Sequence, residues 1–483
     1  MKANYRIEGT TQFRVLTDDQ IEAIYYAALE VLERTGCRVH DEEGRALLAQ
    51  AGAHITDETL ARIPSAAVKD ALASCPQRVA LCARDGSRTL FLENDNFYYG
   101  TGSDCPFIYD DDSAQRREFT YADCERAALI FDALPNLDFF MSVGLVSDVP
   151  RMTYDRHQFV AMVTNTAKPT IVTTVDQAGL QDIYEMACLI QGGPDEYRLR
   201  PNMALYAEPS SPLQHSKNAV QKLLFAAEKG IPAVYTPCPI MGATAPATFA
   251  GALVQGLAES LTGVVMAQQK KRGAALIIGG VISSMDMHDT VMTYGSPELH
   301  LASAAFTEIV KWLNLPMFST GGTSDSKIID QQAAIENAMS LLVATLSGAH
   351  LIHDISFLEG AMIASNEMIV MSDEIAGMCR HIIRGIHVDE ETLAVDAIDA
   401  VGPGGHFLRQ EHTLNHYRSE FWFPTLMDRS RYEIWQQAGA PTMVDRIKDK
   451  IKRITATHEV TPIPDDILNQ MRQILKRADT AEA

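Results

Sequence analysis

The sequence predicts an α/β protein: a TIM-type (β/α)8 barrel carrying an N-terminal α+β layer and a C-terminal helical extension. Two observations lead there. From Thr120 onward, short apolar runs at 138–145, 170–175, 203–208, 232–237, 274–279, 316–320 and 350–354 alternate with helical periodicities near 121–134, 152–166, 177–190, 216–229, 248–271, 298–313 and 330–347. Such alternation implies parallel strands covered by helices, and seven or eight repeats favour a closed barrel over an open sheet. In addition, no Gly-x-Gly-x-x-Gly follows a strand, and Gly321-Gly322 lacks the lysine spacing of a phosphate-cradling loop, which sets the open dinucleotide-binding sheet behind the barrel.

Taken in order, Thr17-Asp18-Asp19-Gln20 is a capping box, and Ile21, Ile24, Tyr25, Ala28 and Leu32 follow at helical spacing until Gly36. Helices at 41–51 and 64–74 precede a hairpin of 78–83 and 88–92 that turns at Asp85-Gly86. With the stretch FYYGTGSDCPFIYDDDS, these make a first unit over 1–120, followed by the barrel over 121–385 and the helical extension over 386–483. Within the barrel, 315–360 reads as strand, glycine turn, helix, strand and loop. Asp330 caps the helix, Ile335, Ala338, Met339, Leu342 and Leu346 form its apolar stripe, Glu336, Ser340 and Ser347 lie on another face, and Gly348 ends it. The eighth strand falls to 367–371, residues that suit a helix equally well. Helices are expected again at 389–399 and 441–453, with a frayed C-terminus.

Hydrophobic residues make up 46% of the chain and charged ones 21%, the balance of a globular protein. No window reads as apolar enough to cross a bilayer and the opening MKANYRIEGTTQF has no signal core, so a cytoplasmic protein without a membrane partner is expected. The 62 Asp+Glu against 41 Lys+Arg give a net charge of -21, which argues against a nucleic-acid partner and welcomes cationic ligands. Eight cysteines without a Cys-x-x-Cys pair disfavour a zinc knuckle, a cluster or a disulfide framework.

A barrel gathers its strand ends around one mouth, so the residues worth naming follow the strands. They are Tyr206 and Glu208, then His350, His353 and Phe357, with Tyr98 from the front layer. Aromatic faces attract an organic cation, a carboxylate balances it, and imidazole groups hold an anionic end. Tyr98 and Tyr99 are adjacent and point oppositely if extended, so one faces a pocket. By the same rule His350 and His353 lie on opposite faces of a regular strand, and one is expected to be structural. His412 and His416 have the spacing of a helical zinc pair, but no Glu follows His412, and neither a metal site nor a Gly-x-Ser-x-Gly nucleophile is expected.

Several segments together resemble the trimethylamine methyltransferase family: GGTSDSKIIDQQAAIENAMSLLVATLSGAHLIHD, DEIAGM at 373–378, VGPGGHFL at 401–408, HTLNHYRSEFWFP and MDRSRYEIW. The resemblance implies a TIM-type barrel with extra N-terminal structure, an oligomer, and methyl transfer from an amine to the cobalt of a separate corrinoid protein, with no cofactor bound tightly by the chain itself. The founding members carry pyrrolysine, whereas this chain has only standard residues. That departure points to the branch resembling methyltransferases for quaternary amines such as glycine betaine, proline betaine, carnitine and butyrobetaine. A quaternary ammonium leaves as a neutral amine, so no catalytic acid is expected and the residues take binding roles: Tyr98, Tyr206 and Phe357 facing the cation, Glu208 as counter-charge, and His350 or His353 toward the substrate carboxylate. A barrel methyltransferase with another donor or a pterin acceptor, and a non-catalytic quaternary-amine binding protein, are the alternatives.

Overall fold

The computed structural model describes residues 12–110, 113 and 115–482. Its centre is a seven-stranded, all-parallel sheet of β1 (Tyr98–Thr101), β2 (Thr170–Val172), β3 (Met203–Ala207), β4 (Ala233–Tyr235), β5 (Leu276–Gly279), β6 (Met317–Thr320) and β7 (Leu351–Ile355), in the spatial order β1-β7-β6-β5-β4-β3-β2. Strands covered on both faces run to near-continuous apolar sequence, and these are buried at nearly every residue, with polar exceptions such as Ser319, Thr320, His353 and Asp354 toward the C-terminal ends of β6 and β7. The sheet curls. Its inner face packs Tyr98, Ile171, Ala204, Val234, Ile277, Phe318 and Leu351, one side chain from each strand, against Phe139 and Met141.

Both edges meet the segment 138–143. Gly100 bridges Phe139 in parallel on one side, and Phe140 bridges Thr170 in parallel on the other. The 138–145 run therefore pairs as isolated bridges rather than as a full strand, because side chains take over part of the ladder. Tyr99 N–H donates to Asp138 Oδ2 at 2.7 Å, Met141 N–H donates to the Thr101 hydroxyl at 2.8 Å, and that hydroxyl donates back to the Met141 carbonyl at 2.8 Å. The buried Asp138 carboxylate is held by Arg88 and Arg380.

Three expectations change. The strand expected at 367–371 is helical, lying inside Asn366–Ile383, where Ser365 caps the first turn by accepting from Met368 N–H. Tyr98–Thr101, grouped by sequence with the N-terminal layer, pairs with Leu351–Ile355 in the main sheet. The helix Phe249–Lys270 is long and apolar enough by composition to cross a bilayer, with a mean hydropathy of 1.4 in its most apolar window, but 78% of that window is buried and the fold uses it as a core helix.

The helix Gln331–Ser347 keeps its predicted Asp330 cap and left-handed Gly348, and Ala338, Leu342 and Leu346 of its stripe pack against the core, yet part of the expected burial is reversed. Ile335 and Met339 are exposed, while Asn337, Ser340 and Thr345 are buried. Close packing explains the reversal. Gly322 N–H donates to the Ser340 hydroxyl at 2.9 Å, and Asn337 Nδ2 donates to the Gly322 carbonyl at 3.0 Å and to the Ser372 hydroxyl at 2.7 Å, so small polar side chains hold the glycine turn against two helices.

The capping box at Thr17 starts the helix Asp18–Arg34 as expected, and the hairpin Val79–Cys82 with Thr89–Leu92 closes one end of the curled sheet by adding Val79, Leu81, Leu90 and Leu92 to its interior. The C-terminal stretch expected to fray is helical as far as Glu482. Asp465–Glu482 is a helix tied down by Arg477 to Asp182 and Glu185, and by Asp479, which accepts from the Thr153 hydroxyl at 2.5 Å.

Candidate active site

The end opposite the hairpin is formed by the C-terminal ends of the parallel strands, where α/β proteins place their chemistry. Tyr206, on β3, donates its hydroxyl to Glu208 Oε2 at 3.1 Å, and its ring lies 5.6 Å from Phe318 and 6.2 Å from His353. Glu208 touches solvent yet is walled by protein. Burial pushes its carboxyl up from the usual value, the Tyr206 bond opposes this, and the nearby Asp104 adds to it.

Asp104 follows β1 in a left-handed conformation, φ 73°, and accepts from the Ser103 hydroxyl at 2.9 Å and the Thr173 hydroxyl at 3.1 Å. Asp354, within β7, is left-handed too at φ 78°, and Ser356 reaches φ 116°. Left-handed backbone at residues other than glycine costs on the order of 1–3 kcal/mol each and persists where the surroundings over-determine it, commonly at functional sites. Asp354 is 2% exposed, and burial raises its carboxyl well above the usual range, against the nearby Tyr294 and Thr320 hydroxyls. Gly102 shows how tightly this corner is packed: a Cβ there would stand 2.4 Å from Asp354 Oδ1 and 2.2 Å from Phe357 Cζ. Phe357 lies on this glycine with Tyr294 beside it, the two rings 6.3 Å apart.

The two histidines separate. His353 Nδ1 donates to the Ser319 carbonyl at 2.8 Å, its Nε2 lies 3.1 Å from Asp354 Oδ1, and its ring rests 4.1 Å from Phe318. Burial lowers it to about 3, so the imidazole is neutral at physiological pH. His350 sits at the other end of the strand with both nitrogens spent on backbone: Met317 N–H donates to Nδ1 at 3.0 Å and Nε2 donates to the Asn94 carbonyl at 3.1 Å. Burial lowers His350 to about 4.

Tyr98 is also at that far end, its hydroxyl accepting from Phe91 N–H of the hairpin at 3.1 Å. The reading that placed Tyr98 and His350 around the mouth therefore differs from the structure, because both stand at the N-terminal ends of their strands. Tyr206, Glu208, His353 and Phe357 do come together. Sequence reasoning missed Asp104, Asp354, Tyr294 and Lys222. Asp354 carried a signal as the acid closing the His350–His353 run, and Asp104 sat in an acidic loop after a strand. Tyr294 carried none. It is positioned by Asp325, which accepts from Tyr294 N–H and Gly295 N–H, each at 2.8 Å.

Aromatic and acidic side chains gathered at the strand ends of a parallel sheet occupy the place where α/β enzymes usually keep their chemistry, and comparison with known proteins gives the class. The family model for trimethylamine methyltransferase (MTTB) matches residues 2–482. The chain belongs to this family, in the branch without pyrrolysine, and is a methyltransferase. Among its relatives, trimethylamine methyltransferase MttB of Methanosarcina barkeri is 32% identical, with 99% of this chain and 98% of that protein covered. The MttB of Desulfitobacterium hafniense is 30% identical over 96% of this chain and 93% of its own length. A glycine betaine methyltransferase of the same species is 31% identical over 89% of this chain and 90% of its own length. The crystal structure of the Methanosarcina barkeri monomethylamine methyltransferase shares the fold, with a TM-score of 0.56 at 12% identity, covering 94% of this chain and 91% of that one.

Proposed function

We propose that this chain takes a methyl group from a quaternary amine and passes it to the Co(I) of a cognate corrinoid protein. The observation that carries the reading is the Tyr206–Glu208 pair at the strand ends, set among the Tyr294, Phe357 and His353 rings, an arrangement suited to an alkylated ammonium. Cobalt on the partner supplies the nucleophile. Tyr206, Tyr294 and Phe357 present ring faces to the cation, Glu208 balances its charge from the side that meets solvent, and the neutral His353 shapes the wall. A quaternary nitrogen departs as a neutral amine, so these residues need only orient one N-methyl group outward and exclude water from the others. Glu208 touches solvent, so the mouth offers a face that a second protein can approach.

The same reading takes 138–143 as the eighth stave of a closed (β/α)8 barrel, supported by the bridges to β1 and β2, with an N-terminal layer before it and a helical extension from about residue 386. It also takes the chain as a cytoplasmic homo-oligomer. Support comes from the extension, whose helices Glu390–Leu393, Val395–Val401, Glu411–Glu420 and Tyr432–Gln437 contain no buried residue while Ile386, Leu408 and Leu414 are exposed.

The test is anaerobic incubation with the reduced corrinoid protein and a panel of quaternary amines, following the demethylated product by NMR. Product with at least one of them is expected. Tight amine binding without product would favour a binding protein, and product with a free pterin as acceptor would favour the other methyltransferase reading.

A further inference from the structure

The charges around the mouth are unequal. Asp104, Glu208 and Asp354 arrive from the ends of three different strands and lie near enough for each to oppose ionisation of the next. Among the described residues, the cation facing Asp104 and Glu208 is Lys222, and it is already engaged: Nζ donates to the Thr174 carbonyl at 2.7 Å, and Asp155 and Asp176 share its charge. Arg156, nearby, is spent on Asp155 and Asp182 at 3.1 Å each. His353 brings no charge, because its Nδ1 proton is held by the Ser319 carbonyl and its ring is buried.

A second observation points the same way. Asp354 Oδ2 is buried and no hydrogen bond closes on it, although the Tyr294 and Thr320 hydroxyls stand near enough to favour its ionised form. Burial favours the protonated form of Asp354, and a positive ligand beside it restores the carboxylate that burial alone disfavours. An anionic group placed in the same mouth would instead meet three acids and one occupied lysine.

We infer that the amine taken here is an organic monocation without an anionic group, such as tetramethylammonium or a choline-like alcohol, and that carboxylate-bearing betaines are poor ligands. This rests on the amine-site reading above and narrows it.

The experiment is calorimetric titration of the full chain, without corrinoid protein, with tetramethylammonium, choline and glycine betaine at one ionic strength. The expected result is that tetramethylammonium or choline binds at least about tenfold more tightly than glycine betaine, and that Glu208→Gln and Asp104→Asn each weaken the cation by about tenfold while narrowing the gap. Lys222→Gln should leave glycine betaine no weaker. Equal or tighter binding of glycine betaine by the unaltered protein, or its selective loss in Lys222→Gln, would overturn the inference while leaving the amine-site reading intact. Binding of none of the three would sink both. Because the ligand series is run on the unaltered chain, misfolding of a variant cannot decide the outcome.

Discussion

The two ends of the parallel sheet are made from the same strands, yet they are built on opposite principles. At the hairpin end, Leu81, Leu90 and Leu92 fill the space between the strands, the Tyr98 hydroxyl is bonded to the Phe91 backbone, and His350 has both ring nitrogens on backbone groups. The groups named there all have partners, the buried Asn202 amide just before β3 being an exception at that end. At the mouth, left-handed Asp104 and Asp354, an unpaired Asp354 oxygen and a carboxyl facing solvent persist together. A closed end of this kind serves stability, and the open end holds unmet polar demand that a ligand can satisfy.

That contrast can be broken most forcefully at the hairpin. Leu90→Ala should lower the unfolding free energy by about 2–5 kcal/mol through the cavity it leaves, read from the denaturant midpoint, while the folded fraction keeps its amine affinity. A loss of affinity at unchanged stability would mean the plug belongs to the site.

His350 offers a pH-resolved version. The unfolded histidine titrates near 6.5 and the folded one at about 4, with burial the main cause, Lys311 assisting, and the Asn94 carbonyl and Asp95 opposing. The unfolded chain therefore binds the extra proton between those values, and the stability His350 contributes is complete above about pH 6.5 and lost as pH falls toward 4. The advantage of the natural protein over His350→Gln should be about 1–3 kcal/mol at pH 7 and shrink by about 1.4 kcal/mol per pH unit below 6.5, measured by thermal melts across pH. A pH-independent gap would contradict the buried neutral imidazole.

At the mouth the signature reverses. Phe357→Ala should raise the amine concentration for half-maximal rate by about tenfold, since an aromatic face over a partly desolvated cation is worth about 1–2 kcal/mol, and an unchanged value would remove Phe357 from the site. The smallest effect belongs to Tyr206→Phe, which deletes one hydrogen bond to Glu208. About 1 kcal/mol, or roughly fivefold in KM, is expected with kcat little changed, and a fall in kcat alone would point to a role in the reaction step.

Much of this architecture was legible in advance. The barrel helices from Tyr121–Asp132 to Gln331–Ser347, the short Pro194–Leu199 excepted, fall on predicted periodicities, because apolar spacing, caps and left-handed glycines act locally. The nearness of Tyr206, Glu208, His353 and Phe357 was legible because strand-end position can be counted along the chain. The failures share one cause. Ile335 and Met339 looked like core and are exposed, while Ser340 and Ser347 were placed on the opposite face and are buried, since which face of a helix turns inward depends on what packs against it. The segment 138–143 pairs through Asp138 and Thr101 side chains, which no periodicity records.

The alternation of strands and helices between about residues 120 and 355, the acidic balance, and the family to which the chain belongs are therefore properties of the sequence alone, because each is written in neighbouring residues or in composition. Tertiary structure decided which histidine meets the acid, that Tyr98 serves the plug, and that Asp104, Glu208 and Asp354 share one mouth. Those depend on contacts between residues far apart in the chain, and only the curling of the sheet brings such ends together.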